Sequence, residues 1–177
     1  MPARRHFSDT ERLPMTHPTS RRNFLRGRFS PAKGLQRPPW AIAERDFLEV
    51  CTRCGDCCRA CPTQILVERE GGYPGVDFGA GECTFCGDCV TACRSSALVR
   101  EAVQAPWSII ARFGENCLAR QRVECRVCGE QCENGAIRFP PQAGGVAVPS
   151  LDPAQCSGCG ACVAPCPTQA IVIVEPG

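Results

Sequence analysis

Four recurrences of one cysteine spacing constrain this chain more than any other feature. Cys51, Cys54 and Cys57 stand at two-residue gaps with Cys61 following after three more; Cys83, Cys86, Cys89 and Cys93 repeat the pattern, as do Cys156, Cys159, Cys162 and Cys166. The third copy in chain order departs from it: seven residues separate Cys117 from Cys125, after which Cys128 and Cys132 keep the usual gaps. The repeat extends beyond cysteine, because an apolar pair begins four positions after each closing cysteine, at Ile65-Leu66, Ala97-Leu98, Ala136-Ile137 and Ala170-Ile171. A whole unit therefore recurs, and such self-similarity decides the fold before any local propensity does.

Two-residue gaps allow one tight loop to bring three thiolates onto a compact object, with glycine at Gly55, Gly87 and Gly160 letting the backbone approach it closely. The run C-x2-C-x2-C-x3-C-P is the bacterial ferredoxin pattern for cubane 4Fe-4S clusters, whose fourth cysteine serves the other cluster of a pair. Pro62 and Pro167 complete it in the first and fourth copies, while Arg94 and Glu133 replace proline in the second and third. Applied pairwise, the crossing rule predicts Cys51, Cys54, Cys57 and Cys93 on one cluster and Cys83, Cys86, Cys89 and Cys61 on the next. Cys117, Cys125, Cys128 and Cys166 would hold a third, and Cys156, Cys159, Cys162 and Cys132 a fourth. Cys117 is the least regular of these ligands.

Two other uses of so many cysteines fit less well. Structural zinc favours C-x2-C pairs parted by longer spacers, and disulfides need an oxidising compartment. Cys58, the seventeenth cysteine, lies inside the first three-residue gap and reads as a free thiol. His6 and His17 have no cysteine or acidic partner at a catalytic spacing, and Trp40 and Trp107 read as packing residues. No glycine-rich nucleotide loop and no nucleophile constellation is present, so nothing suggests a substrate pocket and a cluster-binding protein is expected rather than an enzyme.

The expected fold is α+β: two tandem bacterial 2[4Fe-4S] ferredoxin-like units, small and loop-rich, preceded by a flexible arm. Residues 1–40 form the arm, 41–105 the first unit and 106–177 the second. Each three-residue gap suits a short helical turn. Hairpins are expected where Leu66-Val67 leads through Gly71-Gly72 to Val76-Asp77-Phe78, and where Ile137-Arg138-Phe139 leads through Gly144-Gly145 to Val146-Ala147-Val148. Without its cysteines the chain is only about a third apolar, so bound clusters should supply much of the folding free energy.

Charge separates the arm from the body. Nine Arg and Lys against Asp9 and Glu11 give residues 1–39 a net charge of +7, leaving −5 for the rest. Such an arm suits solvent or an acidic partner; nothing in the body suggests nucleic-acid binding. Ser20-Arg21-Arg22-Asn23-Phe24-Leu25-Arg26 reads like a twin-arginine export motif, but the polar stretch Gly27–Gly34 follows where a signal peptide needs an apolar one. No stretch approaches the roughly 20 apolar residues of a membrane span. A cytoplasmic location is expected, with Met15 an alternative to Met1 as translation start.

Particular segments go beyond generic cluster motifs. Ser20-Arg21-Arg22, Arg37-Pro38-Pro39-Trp40, Gly71-Gly72-Tyr73-Pro74 and the irregular stretch from Cys117-Leu118-Ala119 to Val123-Glu124-Cys125-Arg126-Val127-Cys128 together resemble the NapF family, ferredoxin-type accessory proteins of the periplasmic nitrate reductase system. The resemblance runs from about Met15 to near the C-terminus. It implies a cytoplasmic iron-sulfur protein that associates with the precursor of NapA, the molybdenum-containing catalytic subunit, and assists its maturation before export. A general electron carrier is the alternative role.

Overall fold

A computed structural model of the chain describes residues 36–176. The twin-arginine-like motif, His6, His17 and most of the basic arm lie outside the described residues. Gln36–Trp40, assigned to the arm by charge, instead packs into the body: Arg37 makes a double hydrogen bond to the Glu44 carboxylate at 2.9 and 2.7 Å and stacks over the Phe47 and Tyr73 rings. Pro38 and Trp40 are buried, and the Gln36 carbonyl accepts from the Val76 amide at 2.9 Å.

The elements are short. Helix α1 (Glu44–Val50) carries Glu44 and Asp46 in its first turn, favourably placed at the positive end of the helix dipole, and buries Phe47 completely. Helices α2 (Asp56–Ala60), α3 (Asp88–Ala92) and α4 (Val127–Glu130) fill the three-residue gaps of the first three copies, while the fourth copy has hydrogen-bonded turns over 161–165. Between them run strands β1 (Leu66–Glu68), β2 (Pro74–Val76), β3 (Ile110–Phe113), β4 (Ile137–Arg138), β5 (Ser150–Leu151) and β6 (Ile171–Val174).

Both halves share one plan. The segment entering each half pairs antiparallel with the segment leaving it: Ala41 bridges Leu98 in the first, and β3 pairs with β6 in the second, from Ile110 opposite Val174 to Phe113 opposite Ile171. Inside each half a hairpin follows the first cysteine motif, β1–β2 and β4–β5. The first hairpin turns through Gly71 and Gly72, both with positive φ, which only glycine adopts freely. The second does not pair where its Gly-Gly suggests. Pro140 and Pro141 cannot donate to a ladder, and pairing resumes only at Ser150–Leu151, beyond Val146-Ala147-Val148.

All four apolar pairs that follow the closing cysteines are buried. They seed two core clusters, one around Phe47, Ile65, Leu66 and Leu98, the other around Ala111, Ile137 and Ile171. Val163 and Ile173 pack against both. Removing a buried aliphatic side chain from cores of this size would cost about 2 to 5 kcal/mol, a large share of any small domain's stability.

Candidate metal centres

The ligand loops owe their shape to left-handed backbone. Immediately before the second cysteine, Arg53, Phe85 and Gly158 have φ of 57°, 54° and 71°; immediately after it, Gly55, Gly87 and Gly160 have 72°, 87° and 82°. Left-handed residues alternating with other conformations form the concave backbone that receives anionic groups, iron-sulfur clusters among them. The loop then enters its helical turn, with Cys58 and Arg59 amides donating to the Gly55 carbonyl, and Val90 and Thr91 amides to that of Gly87.

Three cavities collect cysteines from separate stretches. Cys51, Cys54, Cys57 and Cys93 line one, together with Phe47, Ala97 and Leu98. Cys83, Cys86, Cys89 and Cys61 line the second, walled by Trp40, Ile65 and Leu66. Cys117, Cys125, Cys128 and Cys166 line the third, beside Phe113 and Ile171. Atom-free space, mouths included, is about 320, 320 and 350 Å³, so one kind of object would suit all three. Three of the four apolar pairs, Ile65-Leu66, Ala97-Leu98 and Ala170-Ile171, thus serve as cavity walls as well as core. Cys156, Cys159 and Cys162 form the fourth loop, and Cys132 packs with Cys156 and Cys162 against the second core cluster.

Among the described residues, no three His, Cys, Asp or Glu side chains converge as ligands of a single ion would. Thiolates around one zinc sit about 2.3 Å from the metal, much tighter than these cysteine-lined spaces. The donor set, all sulfur and spread around a cavity, fits a cubane.

Burial is the largest influence on seven of the thiols. It pushes Cys57, Cys89 and Cys162 up to about 12, with neighbouring cysteines adding to the effect. Cys83 and Cys128 rise to about 11 for the same reason. At Cys61 burial is the largest single influence and acts upward, yet hydrogen bonds from Thr63 and from the backbone of Leu66 and Ile65 together outweigh it, leaving this thiol below its ordinary value. Cys58 is raised, by burial first; it lines none of the three cavities.

Sequence reasoning missed a second set of residues. Two positions after a closing cysteine, Thr63 lies 3.5 Å from the Cys61 sulfur, Ser95 3.7 Å from Cys93 and Thr168 3.9 Å from Cys166. The Ala170 amide also donates to the Cys166 sulfur at 3.3 Å. A hydroxyl residue at that offset in three copies was the available signal; Asn134 occupies it in the third.

Two stretches match the 4Fe-4S dicluster domain family, residues 50–98 and 121–170. Among curated proteins, the ferredoxin-type protein NapF of Haemophilus influenzae is 47% identical over 163 aligned residues, covering 86% of this chain and 92% of that protein. NapF of Escherichia coli K12 is 45% identical with the same coverage. The chain belongs to the NapF family of ferredoxin-type proteins. Its two dicluster domains account for four 4Fe-4S clusters, and as a ferredoxin-type iron-sulfur protein this NapF-family member has an electron-transfer role. A more distant likeness, 34% identity over 80% of this chain and 68% of the relative, joins it to the methylamine utilization ferredoxin-type protein MauM of Methylobacillus flagellatus. The second domain match begins at Gln121, leaving Cys117 outside it, whereas the third cavity includes Cys117. Among the described residues no helix is long and apolar enough to cross a membrane.

Proposed function

We propose that the sixteen motif cysteines hold the four clusters in the crossed sets given above, within units spanning residues 41–105 and 106–177, and that Cys58 stays a free thiol. Three cavities, each lined by three cysteines of one motif and the closing cysteine of its partner, support this reading. When bound, the clusters take up and release single electrons, with the ligand loops supplying thiolates and the apolar pairs excluding water. Hydroxyls at Thr63, Ser95 and Thr168 tune sulfurs they can reach.

On this basis the protein acts in the cytoplasm on the precursor of NapA, the nitrate reductase catalytic subunit, supporting assembly or redox poise of that partner's own cluster before export. It serves as a maturation and electron-transfer factor, with no substrate site of its own. The observation that carries this reading is near-full-length similarity to NapF proteins. Cytoplasmic residence is supported by the twin-arginine-like stretch, which lacks the apolar segment that export requires.

Deleting the gene while following NapA tests the role. NapA should be synthesised at normal level but with low activity, and tagged protein should capture the unexported precursor. Full nitrate reductase activity in the deletion strain would remove the maturation role, and recovery of the protein from the periplasm would instead favour a carrier working in steady turnover.

A further inference from the structure

The two halves meet through their ligand loops. The Cys83 amide, in the second motif, donates to the Cys159 carbonyl of the fourth at 2.8 Å. Around that bond Trp107 lies edge-on to Phe78 and Phe85, each with centroids 5.9 Å away, and its indole N–H donates to the Ser157 carbonyl at 2.9 Å. Gly158 and Gly160 are shaped by the same contact. Arg53 and Phe85 show that the left-handed position before a second cysteine can carry a side chain, but at Gly158 a Cβ would lie 2.5 Å from the Ile109 carbonyl oxygen and 2.9 Å from the Trp107 indole nitrogen. A Cβ at Gly160 would run into the Phe78 ring. No corresponding backbone bond links the first motif to the irregular third among the described residues.

We infer that the Cys83–Cys159 contact, clamped by Trp107 and Phe78, is the junction across which the two dicluster halves exchange electrons. The order of motifs along the path is then first, second, fourth, third, so the first and third motifs are the termini. The inference rests on the proposed ligand sets. One electron leaves one half as it arrives in the other, and the exchange needs no proton and no further reactant. Buried Phe78 and half-buried Trp107 and Phe85 cover the contact, and the backbone hydrogen bond joins two proposed ligand residues with no intervening side chain.

Two measurements on the full chain, loaded without oxygen, decide it. Trp107→Ala and the double variant Phe78→Ala/Trp107→Ala change no proposed ligand, so iron per chain should match the parent. EPR of the reduced protein should lose part of its spin-coupled broadening and relax more slowly. Fully loaded variants with the parent's spectrum and power saturation would overturn the junction. Should the variants not load, a protease site inserted in the exposed segment 101–105 and cut after loading leaves the contact untouched. The nicked halves should co-elute on gel filtration and keep the parent spectrum, and halves that separate in native buffer overturn the inference. Iron content of the parent below four clusters would instead count against the ligand sets, a distinguishable failure.

Discussion

The hydroxyl oxygen of Thr63 lies 3.5 Å from the sulfur of Cys61, the closing cysteine of the first motif. Cys61 faces the cavity it shares with Cys83, Cys86 and Cys89, so this hydroxyl reaches a thiolate that belongs to the second cluster by the crossing rule.

A donor at a ligand sulfur stabilises the extra negative charge of the reduced cluster. Thr63→Val keeps shape and loses the donor, so the potential of that cluster should fall by roughly 20 to 40 mV, the equivalent of one weak hydrogen bond. Redox titration followed by EPR reads the shift. An unchanged potential would mean that the hydroxyl turns away once the cluster is bound.

Cysteine replacements separate ligands from bystanders. Cys93→Ala removes the ligand proposed to cross to the first motif, and iron should drop from about sixteen towards about twelve atoms per chain, whereas Cys58→Ala should leave iron unchanged. Equal iron loss in both variants would contradict the crossed sets. Cys117→Ala belongs in the same series, since that residue precedes the second domain match yet lines the third cavity.

Positive-φ glycines offer a contrast in stability. Gly144, at φ 68°, has nothing within 4 Å of the point where a Cβ would stand, so Gly144→Ala should cost only the backbone preference, about 1 kcal/mol. Gly158→Ala adds a clash with the Ile109 carbonyl and should cost about 2 to 5 kcal/mol. The urea concentration at which the visible cluster absorbance disappears gives the order of the two. Comparable midpoints would show that the half-to-half packing yields easily.

Spacing made the three cysteine-lined cavities legible, because four thiols at fixed gaps leave a chain little geometric choice. The apolar pairs were legible too, and three of the four line cavities as well as the cores. Less was readable where long-range pairing decides. Ile109–Phe113 has no alternation that announces a strand, and β3 exists because the departing segment Ile171–Val174 lies against it. Gly144-Gly145 suggests a hairpin that returns at Val146-Ala147-Val148, but Pro140 and Pro141 interrupt the ladder and the pairing falls on Ser150–Leu151. Gln36–Trp40 looked like arm by charge, although Arg37 is neutralised by Glu44 and covered by two rings. The bond from Cys83 to Cys159 joins residues far apart in sequence and leaves no periodic trace.

Acid–base linkage gives the last prediction. Thiols at Cys57, Cys89 and Cys162 stand at about 12 in the folded chain, against an ordinary 9.0, so they are protonated at neutral pH. The shift is upward, so the unloaded fold keeps this contribution below pH 9 and loses it as pH rises through the folded values. Iron reverses the preference by taking thiolates, and every thiol loaded near neutrality must release its proton. Loading of the unloaded protein with equal amounts of ferric and ferrous iron and with sulfide, a mixture that needs no outside oxidant, should therefore become more favourable between pH 7 and 9, by about 1.4 kcal/mol per released proton per pH unit. An indicator dye in weakly buffered solution should record acidification as the visible absorbance grows. Acidification no greater than the added sulfide alone accounts for would mean that the thiols are already ionised in the folded chain, contrary to their burial.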